Sequence, residues 1–149
     1  MEFIAKTDLP RTKYREAIFL ILYTFSFSEE GDKALLPFVS DQLKVNLRYI
    51  KDANVFAKEI WNKRDEIDDK IEAVSHDYKL HRIPKVELAI LRLAIYELFY
   101  CESMPYRVVI AEAIRLGRKF GNQECFKFVN AVLDAIYQSN IQLQNAEMV

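Results

Sequence analysis

The apolar positions of this chain recur at helical spacing and are punctuated by Pro10, Gly31, Pro84, Pro105 and Gly121, which predicts amphipathic helices rather than strands. The first stripe, Tyr14, Ile18, Ile21, Leu22 and Phe25, predicts a helix over residues 10–28, with Pro10 in its first turn and Thr7 or Asp8 as cap. Residues 32–45 read as a short helix. Its start stays open because Pro37 suits a first turn and not a helix interior. Asn46 is placed to cap a longer element through Tyr49, Ala53, Phe56, Ile60 and Trp61. That element continues past Ile67, Ile71 and Val74, with an interruption expected near Lys63.

Residues 85–100 carry Val86, Ala89, Ile90, Leu93 and Ala94 on one side and Leu91, Ile95 and Leu98 on another. A helix apolar on several sides belongs in the middle of a bundle. Over residues 106–120 the spacing turns Val109, Ile110, Ala113, Leu116 and Phe120 inward and Glu112, Arg115 and Lys119 outward, and Gly121 stops the helix. A last helix over 123–139 buries Val129, Val132, Leu133 and Ile136, and residues 140–149 form a frayed tail. No repeat of 20–50 residues signals a solenoid.

Composition narrows the class further. With 149 residues, 51% of them hydrophobic and 29% charged, the chain is long and apolar enough for one domain with a sizeable core. Three glycines and four prolines leave few tight turns, so long helices are favoured over a many-turned sandwich and an all-α bundle is the expected class. The longest apolar run, residues 17–23, falls far short of the ~20 residues that cross a bilayer. No basic region followed by an apolar segment and a cleavage site opens the chain, so the cytoplasm is the expected compartment and no membrane is involved. Cys101 and Cys125 lie 24 positions apart without a CxxC pairing and read as reduced packing residues.

Catalytic chemistry finds little support. His76 and His81 are five apart, off the i, i+4 spacing that would share one helical face, so no metal site is expected. Three isolated glycines build no phosphate loop, and no cofactor is expected. Asp65, Glu66, Asp68, Asp69 and Glu72 read as a solvated helix face rather than an acid/base pair.

Charge is segregated instead. The chain carries a net charge of −1, against bulk coating of nucleic acid. Yet residues 1–28 sum to +1, 29–106 to −3, 107–127 to +3 and 128–149 to −2. Arg11, Lys13 and Arg15 cluster at a helix start, and Arg107, Arg115, Arg118, Lys119 and Lys127 form a second basic stretch. Either cluster could meet phosphate or face solvent.

Specific strings then matter. Pro84-Lys-Val-Glu-Leu-Ala-Ile-Leu-Arg-Leu-Ala-Ile-Tyr-Glu-Leu98, Pro105-Tyr-Arg-Val-Val-Ile-Ala-Glu-Ala-Ile114 and Phe128-Val-Asn-Ala-Val-Leu-Asp134 resemble the NusB family of bacterial transcription antitermination factors. Arg11-Thr-Lys-Tyr-Arg-Glu-Ala with Leu22-Tyr23 resembles that family's first helix, and the likeness spans residues 10–138. It implies a helical bundle of about six to seven helices in two packed subdomains, without catalytic activity. It also implies pairing with the small-subunit ribosomal protein NusE, binding of boxA RNA in nascent ribosomal transcripts, and carriage by RNA polymerase to suppress premature termination.

Residue by residue, the likeness puts Arg11, Lys13 and Arg15 on the RNA-facing helix start, with Thr12 where the family often has another arginine. It puts Phe120, Glu124, Lys127 and Phe128 near RNA, where an exposed ring stacks on an unpaired base; burial is the competing reading for either phenylalanine. Tyr23 and Glu87 fall on the NusE-facing surface, with core packing the alternative for Tyr23. Arg92, Glu97, Asn130 and Asp134 read as internal ion pairs or caps. Ala111, Ala131 and Tyr14 depart from the family pattern. A protein-only adaptor of the same fold is the competing function, and a homodimer through residues 17–27 is a further possibility. A fused RNA methyltransferase has no room here and no glycine loop.

Overall fold

The computed structural model describes residues 11–28, 34–76, 79–101 and 104–147. Thr7, Asp8 and Pro10, expected to start the first helix, lie outside them. The described residues form seven α-helices: α1 (Arg11–Phe25), α2 (Leu35–Leu43), α3 (Leu47–Asn62), α4 (Arg64–Val74), α5 (Lys85–Tyr100), α6 (Tyr106–Phe120) and α7 (Gln123–Glu147). A 3-10 turn, Leu80–Arg82, leads into α5. No strand occurs among the described residues.

The helices fall into two packed groups. In the first, α1 lies against α3 and α2 closes over both; in the second, α4, α6 and α7 surround α5. Helix α5 also touches α1 and α3 and so joins the groups. Every residue from Leu88 to Glu97 is buried, as expected of a helix apolar on several sides. At ~1.5–3 kcal/mol for each large apolar side chain removed from water, this central helix organises the core.

The local signals are physical ones. Asn46 accepts the Arg48 backbone N–H at 2.9 Å and so caps α3. The break falls at Lys63, between α3 and α4, where the backbone opens to φ −96°, ψ 7°. Pro37 is the third residue of α2, where its missing N–H costs no helical bond. Helix α2 ends on Lys44 in the left-handed conformation, φ 55° and ψ 46°, a position that glycine fills without steric cost.

One helix end differs from the expectation and one agrees with it. Helix α7 continues to Glu147 instead of ending at Ser139, because no glycine or proline follows to stop it. Gly121 ends α6 as expected, in extended backbone (φ −110°, ψ −165°). Space is the reason for a glycine: a Cβ there would sit 2.6 Å from Cys125 Sγ and 2.9 Å from the Gly117 carbonyl oxygen. Cys101 and Cys125 are both buried and unpaired with each other, and burial lifts each thiol to about 11.

Candidate nucleic-acid interface

The two basic segments meet where side chains of α1 face those of α6, and three of their cations, Arg15, Arg115 and Lys119, are paired with acids there. Arg15 is 1% exposed. Its Nε donates to Glu97 Oε2 at 3.1 Å, and its Nη1 lies 3.9 Å from Glu112. Glu16, also buried, accepts from Arg115 at 2.7 Å and from Lys119 at 3.0 Å. Arg115 donates as well to Glu112 at 2.9 Å and to the Thr12 carbonyl at 3.2 Å. The expected outward placement of Arg115 and Glu112 is therefore corrected: they bridge α1 and α6. The RNA-facing placement of Arg15 is corrected too, since it shares the buried face of α1 with Ile18 and Leu22.

These two acids shift in opposite net directions, because their cationic partners outweigh burial only at Glu16. Burial alone would raise the Glu16 carboxyl, but hydrogen bonds and charge from Lys119 and Arg115 hold it below its ordinary 4.5. Burial lifts the Glu97 carboxyl to about 7 against the pull of Arg15. A second internal pair is bidentate: Arg92 donates to both Asp68 oxygens, at 3.0 and 2.8 Å, and ties α5 to α4. Asp68 thus leaves the solvated acidic face. Asn130 and Asp134 stand exposed on α7 and cap nothing inside the core.

The remaining basic groups are at the surface. Arg11 and Lys13 are exposed in the first turn of α1, and Lys13 Nζ donates to the Leu43 carbonyl at 3.0 Å. Arg118 lies over the Phe126 ring, 5.1 Å from its centroid. Phe120 is half-buried, its ring 4.8 Å from that of Phe19 with the Lys119 ammonium 5.6 Å away, so it braces α6 against α1. Glu124, Lys127 and Phe128 come together in one groove of about 380 Å³ between α7 and the end of α4, with Val74, Ser75, His76 and Val132 completing its walls. Glu124 and Lys127 are exposed and Phe128 half-buried. The groove offers one carboxylate, one ammonium and one ring side by side.

A different face carries Tyr23 and Glu87. Tyr23 is half-buried, stacked on Phe19 at 6.3 Å and meeting Phe27 edge-on at 5.1 Å, so the core alternative holds only for its inner edge. Phe27 is 61% exposed, and Lys85 covers its ring at 4.2 Å while donating to the Ser26 carbonyl. Glu87 is in the first turn of α5, where the helix dipole favours a carboxylate; burial raises it from its ordinary value. The start of α5, which carries Glu87, is therefore tied to the aromatic end of α1 through Lys85.

Sequence reasoning weighed His76 and His81 only as a metal pair, and Ser75 and Lys79 not at all. No spacing rule flags them, because the walls they form arise only when the end of α4 meets α7 on one side and the 3-10 turn and α5 on the other. Among the described residues no cluster of His, Cys, Asp and Glu fits a metal, and no helix is long and apolar enough to cross a membrane.

Fold and surface together define an all-helical protein with a mixed-charge groove on one face and an aromatic and acidic patch on another. The family model described as the NusB family matches residues 12–138. Transcription antitermination protein NusB of Anaeromyxobacter sp. (strain Fw109-5) is 40% identical over 130 residues, 87% of this chain and 90% of its own. NusB of T. maritima superposes with a TM-score of 0.73 at 30% identity, covering 89% of this chain and 93% of its own. A crystal structure of antitermination factors NusB and NusE in complex with dsRNA contains a chain 28% identical to this one, with a TM-score of 0.72, covering 87% of this chain and 96% of its own. The chain belongs to the NusB family.

Proposed function

We propose that this chain is a non-catalytic, cytoplasmic antitermination factor that pairs with NusE and binds boxA RNA in nascent ribosomal transcripts, for carriage by RNA polymerase. The reading rests on the convergence of Glu124, Lys127 and Phe128 in one groove, in a fold shared with a chain of a solved complex of NusB and NusE with dsRNA. Lys127 meets a backbone phosphate, the Phe128 ring takes a stacked base, and Glu124 accepts from a base amino group or a 2′-hydroxyl. Arg11 and Lys13 extend the phosphate contacts along the α1 start. Arg15 is left out of this set, and Phe120 acts as a brace at its margin.

Tyr23 and Glu87 form the NusE surface: the phenol donates a hydrogen bond and the carboxylate meets a cation of the basic partner. The same face, with Phe27 exposed on it, is where a homodimer would compete.

The internal use of Arg15, Arg115 and Lys119 favours one second reading, a protein-only adaptor of the same fold. Gel-shift titration of boxA RNA, with the chain alone and with NusE, separates the two. Binding that tightens with NusE supports the first reading; NusE pairing with no RNA shift supports the second.

A further inference from the structure

The groove holding Glu124, Lys127 and Phe128 does not end at His76. Ser75 and His76 also wall a larger pocket of about 690 Å³ on the other side, bounded by Glu72, Lys79, Leu80 and His81. Both volumes fall within the roughly 300–1,000 Å³ typical of sites for small-molecule-sized groups.

The two chambers repeat one chemistry. Each has a carboxylate (Glu124, Glu72), an ammonium (Lys127, Lys79) and an apolar wall (Phe128 with Val132, Leu80 with Leu88). Between them stand the Ser75 hydroxyl and the exposed His76 imidazole. Neither lysine makes an ion pair among the described residues. A bare anion would be repelled by the carboxylate in each chamber. A nucleotide suits both: its phosphate takes the ammonium, its base lies on the apolar wall, and its amino or hydroxyl donors meet the carboxylate. Two adjoining chambers of the same make fit two successive units of a repeating polymer.

We infer that the pocket beyond His76 is a second nucleotide subsite, so that one single-stranded RNA runs from Phe128 over Ser75 and His76 to Lys79 and His81. The inference rests on the RNA reading given above and names residues that the reading does not include. Lys79 contacts the second phosphate, His81 lies beside the second base, and Glu72 accepts from that base's exocyclic donors.

The test is fluorescence anisotropy with labelled single-stranded boxA RNA on the full chain with NusE, across a salt series. Each phosphate contact to single-stranded nucleic acid contributes a slope of about −0.7 in log K against log salt. Lys79→Ala and Lys127→Ala should each flatten the slope by about that amount, with thermal midpoints unchanged because both side chains are exposed. Glu72→Gln should alter discrimination among bases at one RNA position only. If Lys127→Ala weakens binding while Lys79→Ala and Glu72→Gln change nothing, the second subsite is overturned and the RNA reading stands. If none of the three has an effect, both are overturned. If adenosine monophosphate alone binds the chain as tightly as the RNA does and competes with it, the pocket is a small-molecule site and the strand path is overturned.

Discussion

Arg11 and Arg15 are four positions apart in one helix, yet they do different work. Arg11 is exposed, whereas Arg15 is buried against Glu97, Glu112 and Met104. Removing one partner of a buried ion pair costs about 3–5 kcal/mol, because the other charge is left uncompensated. Arg15→Met should therefore lower the thermal midpoint by roughly 2–4 °C per kcal/mol lost. The double variant Arg15→Met with Glu97→Leu should recover most of it in calorimetry. Arg11→Glu should leave the midpoint unchanged and weaken RNA binding. The split was legible in part: Arg15 precedes Ile18 by three and Leu22 by seven, which puts it on the apolar stripe. The basic cluster read as one linear feature hid that. The identity of its partners was not legible, since Glu97 and Glu112 lie 82 and 97 positions away. The acids add a pH signature. The folded Glu97 carboxyl holds its proton up to about 7, above its ordinary 4.5, so its contribution to stability is full below 4.5 and declines as pH rises towards 7. Glu16 is held below 4.5, so its contribution is present above 4.5 and is lost as pH falls through its folded value. Glu16→Gln should reduce the acid-side loss in a thermal-midpoint profile against pH.

Among the elements, the helix pattern gave the number, order and central member of the bundle because apolar spacing at 3.6 residues is local information. The buried faces of α1, α3 and α5 agree with the stripes read from their residues. The ends were less legible. The lack of glycine and proline in residues 140–147 permits a continued helix, but its packing, with Ser139, Asn140 and Leu143 beside Phe99 and Lys70, is visible only in the fold. The turn between α6 and α7 is set by a close approach, not by backbone handedness. Gly121→Ala should push Cys125 away and destabilise the fold by about 1–3 kcal/mol, the usual cost of overpacking, read as a fall in urea midpoint. Gly117→Ala should cost less, since its Cβ would meet Phe126 Cβ at 3.1 Å. At the end of α2, Lys44→Gly should stabilise the protein by roughly 0.5–1 kcal/mol by relieving the left-handed backbone.

At the scale of the molecule, a net charge of −1 averages over cations paired with acids between α1 and α6, cations left on the surface, and the exposed acids of α4. Composition excluded indiscriminate binding to nucleic acid; it could not show that three of the basic side chains hold helices together. The groove is lined from α4 and α7, whereas Tyr23 and Glu87 belong to α1 and α5, so their functions should separate by mutation. Glu87→Lys should weaken NusE pairing in a pull-down while leaving the intrinsic RNA affinity of the isolated chain unchanged. Lys127→Ala should do the reverse. The most direct measurement is boxA RNA affinity of the NusE-bound chain across a salt series, for the wild type and for Lys127→Ala with Phe128→Ala. The account predicts salt-sensitive wild-type binding, with a weaker and flatter response in the double variant. Equal affinity and equal slope in the two proteins would contradict it.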